Sequence, residues 1–432
     1  MKVAIIGYGI EGQASCEYFV AKGDDVTVCD QTTDLALPAG VTAQLGDSYL
    51  DNLNQFDKVV RTAGIHPQLI LDKNPDLGTK LTTQLNEFLA ACPTKNVIGV
   101  TGTKGKGTTS TLITKMLEAS GKQTYLCGNI GVAFFSILNK LTVDDWVVLE
   151  LSSFQLIDAR YSPQIAVCLM VVPEHLNWHA DMAEYLAAKS QLFAHQTSAD
   201  VAVYFPTSSN STQIASAGQA TKIPYFEAPG AVVADGNIMI DGQIICKTSD
   251  LKLLGAHNWQ NACAAVTAVW QAGVQDIEAM RSVLATFSGL EHRLELVRDL
   301  DGVLYYDDSF GTTPETAIVA IEAFAQPKVV ILGGSDKGAS YDELAAAVLH
   351  GNVRKALLIG DQAGKIQTAL ETAGFHDFVP GGEDMAVIVR NCQTFAQAGD
   401  IVLLSTGCAS FGMFENYKDR GNQFKQQVLA LA

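Results

Sequence analysis

The sequence predicts an α/β protein of three domains: an N-terminal Rossmann-like domain, a central P-loop ATPase-like domain with a mostly parallel sheet, and a C-terminal Rossmann-like domain. Three observations carry this. A glycine-rich turn, GYGIEGQ at residues 7–13, follows the apolar run KVAIIG. A second glycine-rich loop, VTGTKGKGTTSTL at residues 100–112, opens a new strand–loop–helix unit. The last third of the chain alternates short apolar runs with helical patterns, as a doubly wound sheet does. At 432 residues the chain is too long for one ordinary domain. Boundaries are predicted near residues 93 and 288, giving domains 1–93, 94–287 and 288–432.

Each element has its own signal. KVAIIG reads as a buried strand, with a helix from about Glu11 that Gly23 stops. DVTVCD and KVVRTAG (58–64) are further strands of this small βαβ unit, which finishes near Pro93. NVIGV (96–100) starts the central unit. Its loop leads into a helix from about Thr108 to Ser120, with Ile113, Met116 and Leu117 on the buried face and Gly121 as stop signal. WVVLEL and IAVCLMVV are continuous apolar runs, as in strands covered on both faces. DMAEYLAAKSQLFAH is helical, with Asp181 and Glu184 spaced as a capping pair. NIMIDGQII carries Asp-Gly between β-rich runs and reads as a hairpin, and AHNWQNACAAVTAVWQAG as another helix. In the last third the strands are VLYYDD, VVILGG, ALLIG and DIVLLS, and the helices span about 314–325, 341–350, 363–373 and 383–397.

Composition excludes several classes. A formal net charge of −17 argues against a general nucleic-acid binder. An acidic protein that handles phosphates needs lysines, backbone N–H groups and metal ions gathered at the site. The nine cysteines are scattered without a CxxC pair, which points to reduced thiols. The first residues lack a signal-peptide pattern and no run reaches eighteen apolar residues, so a cytoplasmic protein without a membrane span is expected. It is expected to act as a monomer.

The first loop fits G-x-G-x-x-G through Gly7, Gly9 and Gly12, and Asp30 ends the next strand, where a dinucleotide fold keeps its ribose-binding acid. This predicts a nucleotide-diphosphate site; the alternative is a tight βα turn without ligand. The second loop offers more. Gly102, Gly105 and Gly107 let N–H groups wrap a phosphate, Lys106 supplies a cation, and Thr108 or Thr109 offers a hydroxyl to Mg²⁺. Only two residues separate Gly102 from Gly105, and Gly107 sits where Ser or Thr normally follows the lysine. Glu150 ends WVVLEL on the ligand-binding edge of such a sheet, where it is either a metal-holding carboxylate or a solvated rim residue. His175 and His179 lie at i and i+4 but lack a third zinc ligand. Lys189 sits among small and apolar neighbours; burial would favour its neutral amine, whereas most helix lysines are solvated.

Together, GYGIEG, TAGIHP, TGTKGKGTT, GNIG, ELSSFQL, PEHLNWH, AAKSQLF, GAHNWQNA, EHRLE, DDSFGTTPETA, LGGSDKG and CASFGMFENYKDRGNQF resemble, in order and spacing and over the whole chain, the Mur ligases. The resemblance implies an ATP-dependent, ADP-forming carboxylate–amine ligase of peptidoglycan precursor synthesis, joining D-glutamate to UDP-N-acetylmuramoyl-L-alanine through an acyl phosphate. It gives the first loop to the UDP-sugar and the second to ATP. Gly9, Ile10, Glu11, Asp30, Gly64, Asn129, Ser152 and Gln155 would then face the UDP-sugar peptide. Gly102, Thr103, Lys104, Gly105, Lys106, Gly107, Thr108, Thr109, Asn258, Asn261, Arg293 and Asp308 would face ATP. Thr312, Lys337, Ser410 and Tyr417 would hold glutamate. Thr108 and Glu150 would hold one Mg²⁺, and His175 with a carbamylated Lys189 a second. Lys106, Glu150, His175 and Lys189 would carry the chemistry. Two departures stand out: Phe310 replaces the lysine of the usual DSKATN motif, and Gly107 is shared with folylpolyglutamate synthases. Three bound partners on three domains imply closure of the C-terminal domain during turnover.

L-Glutamate as co-substrate and a folylpolyglutamate synthase-like ligase are the alternatives. The latter family lacks the ninety residues that precede the P-loop here. An NAD(P)-dependent oxidoreductase leaves TGTKGKGTT unexplained, and a nucleotide switch would release phosphate without regard to either co-substrate.

Overall fold

The structure is a computed structural model that describes residues 1–253, 256–335 and 339–432. The chain divides into two compact units, Met1–Phe287 and Ser288–Ala432. Among the described residues no helix is long and apolar enough to cross a membrane.

The first unit holds two parallel sheets. In the smaller one the strands run in the order Thr42–Leu45, Asp25–Asp30, Lys2–Ile6, Lys58–Arg61 and Leu81–Thr83. The order reverses at Lys2–Ile6, so the turn after that strand, Gly7 onward, lies at a switch point where doubly wound sheets open a ligand crevice. Gly7 takes a φ of +89°, and a Cβ on Gly12 would stand 1.9 Å from the Gly7 carbonyl oxygen. Both glycines are therefore obligatory for the turn. The strands Thr42–Leu45 and Leu81–Thr83 gave no sequence signal: they are short, and the first is partly exposed and polar.

The larger sheet runs Thr221–Pro224, Val201–Tyr204, Ile165–Cys168, Val97–Thr101, Trp146–Glu150, Thr124–Gly128. Trp146–Glu150 and Ile165–Cys168, on either side of Val97–Thr101, are buried along their whole length, which is why they read as unbroken apolar runs. Parallel register pairs Val100 with Glu150 and Thr101 with Cys168. The loop after Val97–Thr101, Glu150 and the segment after Cys168 therefore emerge side by side at the carboxyl edge. The expected hairpin is present, with Asn237–Ile240 and Gln243–Lys247 antiparallel across Asp241 and Gly242, both at positive φ.

Arg61, fully buried, ties the two sheets of this unit together. Its Nε and Nη2 donate to the two Asp158 oxygens, and Nη1 and Nη2 also reach the carbonyls of Thr62, Ile65 and Phe154.

In the second unit the order is Glu295–Leu300, Val303–Asp307, Ile401–Leu404, Lys328–Gly333, Val353–Ile359, Phe378–Pro380, parallel except for the first strand. That antiparallel edge strand was not anticipated; it turns at Asp301 and Gly302, both with positive φ. Helix bounds shift by a few residues from the predicted ones, as with Pro314–Glu322 and Met385–Phe395.

Replacing Arg61 with alanine leaves Asp158 and three carbonyls without their donor. A loss of about 3 kcal/mol in the stability of the first unit is expected, read as a lower denaturation midpoint with an unchanged slope. An unaltered midpoint would refute this account of how the two sheets are joined.

Candidate functional site

The second glycine loop folds as a compact cradle at the start of the helix Lys106–Ala119. Gly102 (φ +148°) lets the chain pass against Leu169, and Gly105 (φ +84°) lets it pass against Asn261, whose Oδ1 would be 2.3 Å from an added Cβ. The Thr103 hydroxyl is fixed by Val172 O and Tyr185 Oη at 3.0 and 2.9 Å. Lys106 folds back over the loop, with Nζ donating to Gly102 O (3.1 Å) and Thr103 O (3.0 Å). Lys104 points outward to Glu174 at 3.1 Å. The Asn261 amide donates to Asn258 Oδ1 at 3.0 Å and its oxygen lies 3.5 Å from the Thr109 hydroxyl, so both adenine-side candidates lie against the cradle.

Lys189 reaches the same carbonyl from the opposite side. The helix Met182–Ala194 buries it, its Nζ donates to Gly102 O at 2.9 Å, and it lies 4.6 Å from the centre of the Tyr185 ring. Burial, and then the positive charge of Lys106, pull its amine down to about 7. Glu174 and Glu150 act on it in the opposite sense, so these residues share one electrostatic neighbourhood. Glu150 is 2% exposed and accepts a long bond, 3.4 Å, from Asn129 Nδ2, and the backbone N–H of Asn129 bonds Glu150 O. His175 takes a left-handed φ of +59°, and burial holds its pKa below the usual value. The charges of Lys106, Lys189 and Lys104 push the same way, opposed by Glu174.

His179 has a different job. Its Nε2 lies 2.9 Å from Ser153 Oγ and its Nδ1 3.2 Å from Glu184 Oε2, so both nitrogens are engaged in packing. Glu184 is accordingly half of the expected capping pair only. Asp181 accepts from the Glu184 N–H as an N-cap, but the Glu184 carboxylate turns to Ala180 N–H, His179 and His66 instead of returning to Asp181.

Around the first glycine loop, Gly9 precedes the helix Ile10–Ala21 with open space above it, and Ile10 is 85% exposed. Asp30 accepts from the N–H groups of Tyr8 and Thr32, and Glu11 from that of Ala63, beside Gly64. The Gly64 carbonyl in turn accepts from Trp178 Nε1 at 3.3 Å. Ser152 and Gln155 bond each other in a capping box on a short helix. The contact from Gly64 to Trp178 brings the 62–65 loop next to the segment carrying His175.

In the second unit, loops after three parallel strands surround a cavity of about 270 Å³, lined in part by Thr312, Glu315, Ser335, Tyr341, Gly407 and Cys408. Thr312 lies in its wall; Ser410 is buried nearby in sequence, and Tyr417 packs against His292 and Phe310. Lys337 lies outside the described residues. Asp308 is held by Ser405 Oγ (2.6 Å) and Leu294 N–H (3.2 Å), and burial pushes its carboxyl up to about 6. Sequence reasoning missed Arg420. It is fully buried, donates to Ser309 Oγ, Ser309 O and Cys408 O, and burial lowers it to about 10. Its place in YKDRGNQF, next to Tyr417, was the signal available.

A glycine-rich cradle beside a buried amine and a buried carboxylate in one unit, and a cavity at strand ends in the other, fit a nucleotide-using ligase. Residues 100–269 match the Mur ligase middle domain and residues 292–408 the Mur ligase glutamate ligase domain. The chain belongs to the Mur ligase family. It is 34% identical to the UDP-N-acetylmuramoylalanine–D-glutamate ligase of Clostridium kluyveri, with 99% of this chain and 96% of that one aligned. It is 36% identical to the protein of the same name from Acetivibrio thermocellus, with the same coverage. Solved structures share the fold. UDP-N-acetylmuramate-alanine ligase from Thermotoga maritima superposes with a TM-score of 0.57 at 16% identity, covering 100% of this chain and 99% of that one. MurF ligase from the same organism, in complex with ADP, gives 0.56 at 17% identity, covering 100% and 95%.

The low pKa of Lys189 has a sign that can be checked. Between about pH 7 and 10.5 the unfolded chain carries a proton on this amine and the folded chain does not. Stability contributed by this residue therefore rises with pH across that window, by about 1.4 kcal/mol per unit, and is penalised most below pH 7. Over this range the unfolding free energy of the wild type should rise relative to that of Lys189→Met with that slope as pH increases; parallel curves would show an ordinary, charged lysine.

Proposed function

We propose that this protein is an ATP-dependent ligase that joins D-glutamate to UDP-N-acetylmuramoyl-L-alanine in the cytoplasm. Relatives bearing that activity in their names align with nearly the whole chain at 34–36% identity. The observation that carries the chemistry is the convergence of Lys106 and Lys189 on the Gly102 carbonyl beside Glu150. In this reading residues 1–93 take the UDP-sugar, 94–287 take ATP, and 288–432 take glutamate. All nine cysteines are free, in keeping with a reducing compartment.

A carboxylate does not condense with an amine at neutral pH, because oxide does not leave. Transfer of the γ-phosphoryl group to the muramoyl-peptide carboxylate releases ADP and creates an acyl phosphate. Attack by the glutamate nitrogen on the acyl carbon then expels phosphate, and the nitrogen loses its proton. Lys106 is suited to neutralise the transferred phosphoryl group once a nucleotide displaces its bonds to Gly102 and Thr103. Gly102–Thr109 would wrap the phosphates, with Asn258, Asn261, Arg293 and Asp308 on the rest of ATP. Gly9, Ile10, Glu11, Asp30, Gly64, Asn129, Ser152 and Gln155 would orient the sugar peptide. Thr312, Lys337, Ser410 and Tyr417 would hold glutamate and aim its amine.

The donors suit Mg²⁺, a hard cation that takes oxygen ligands. Glu150 is a buried carboxylate with a long hydrogen bond, and Thr108 stands in the cradle's first helical turn. Bound there, Mg²⁺ would supply further charge neutralisation for the phosphoryl oxygens. His175 and Lys189 suit a second ion once Lys189 is carbamylated. A neutral amine adds to CO₂ with loss of a proton, and the depressed pKa of Lys189 provides that amine at neutral pH.

The deciding assay supplies ATP, Mg²⁺ and UDP-N-acetylmuramoyl-L-alanine with D- or L-glutamate in parallel and reads ADP, phosphate and product mass. Product with D-glutamate is expected, and a loss of at least about a hundredfold in Lys106→Ala. Product with L-glutamate alone would reassign the co-substrate; undiminished turnover in Lys106→Ala would sink the mechanism.

A further inference from the structure

The segment 292–294 in the second unit carries Arg293 through an unfavourable backbone path. His292 and Leu294, on either side of it, have left-handed φ values of +62° and +43°. Such conformations persist in side-chain-bearing residues only where surroundings over-determine them. Here the loop 307–310 does so at successive points. Asp307 Oδ2 meets His292 Nδ1 at 2.7 Å, the Phe310 N–H donates to His292 O at 2.9 Å, and the Leu294 N–H donates to Asp308 Oδ1 at 3.2 Å. The backbone of Arg293 is thus clamped from both sides, while its long side chain is exposed.

The far end of that side chain rests on Phe310. The guanidinium carbon lies 3.9 Å from the centre of the Phe310 ring, and the edge of that ring meets Tyr417 with centroids 5.2 Å apart at 83°. Tyr417 is itself anchored, since its carbonyl accepts from Ser309 Oγ, which accepts from Arg420 Nε. A phenyl ring offers neither charge nor hydrogen bond. It contributes a flat surface and a negative face, and the flat cation sits at van der Waals distance from it.

We propose that Phe310 is a positioning residue for nucleotide binding: it holds the Arg293 guanidinium in the orientation in which it meets ATP, with Tyr417 as the buttress behind the ring. This rests on the reading of Arg293 as an ATP contact. It assigns Phe310 to the nucleotide and not to the glutamate cavity, whose described lining lacks it.

The test uses the full-length protein and the variants Phe310→Leu, Phe310→Trp and Arg293→Ala, with Phe310→Leu also in the Arg293→Ala background. KM values for ATP and for D-glutamate are measured separately, and ATP binding by calorimetry in the absence of the other substrates. Leucine keeps the apolar bulk and removes the ring. It is expected to weaken ATP binding about two- to fivefold, the size of an exposed cation–π contact, with the KM for glutamate unchanged. Tryptophan should restore wild-type ATP binding or exceed it. In the Arg293→Ala background the leucine change should have no further effect. Wild-type ATP affinity in Phe310→Leu, a shift in the glutamate KM alone, or an undiminished effect without Arg293 would each overturn the proposal. Failure of the wild type to bind ATP would instead remove the functional reading beneath it.

Discussion

One carbonyl oxygen, that of Gly102, organises the first unit. Two lysine amines donate to it, one from the loop's own helix and one from a helix packed on the other side of the sheet. Two ammonium groups this close, one of them out of water, repel each other, and the group with less solvent yields. Lys189 is the buried one, so its proton is the one loosened. The carbonyl faces both only because Gly102 adopts a φ no other residue type reaches without strain, with its Cα side pressed on Leu169. A glycine that looked like a feature of the phosphate loop thus also sets the state of an amine eighty-seven residues further along the chain.

The parts of this arrangement that the sequence disclosed were the local ones. Strand–loop–helix patterns placed both glycine turns, and unbroken apolar runs marked the strands that carry Glu150 and Cys168. Lys189 was legible only as a lysine in an apolar context, open to either reading; its burial depends on which face of its helix meets the sheet, a tertiary fact. Short or polar edge strands such as Thr42–Leu45 and Glu295–Leu300 stayed hidden because an edge needs little apolar pattern to pair. Glu184 misled for a related reason. Its spacing from Asp181 suits a reciprocal cap, yet two histidines, one of them 118 residues away, offer its carboxylate better partners. Arg420 was passed over because a buried arginine in an exposed-looking helix has no sequence signature beyond its neighbours.

The second unit solves its own version of the same problem, how to hold charge at a strand end without letting it relax into water. Asp308 keeps its carboxyl at about 6 because burial outweighs the Ser405 and Leu294 bonds that favour its charged form. Next to it, Arg420 is stripped of solvent and spends its donors on Ser309 and Cys408, which locks the backbone of the 307–310 loop. That rigidity is what allows the 292–294 segment to be carried in left-handed conformations, since a loop free to move would let His292 and Leu294 relax. The exposed Arg293 side chain therefore springs from an immobile base, and its guanidinium rests on the Phe310 ring. In this chain the tip rests on an aromatic ring, so the precision of the outermost cation derives, through Phe310 and Ser309, from the innermost one.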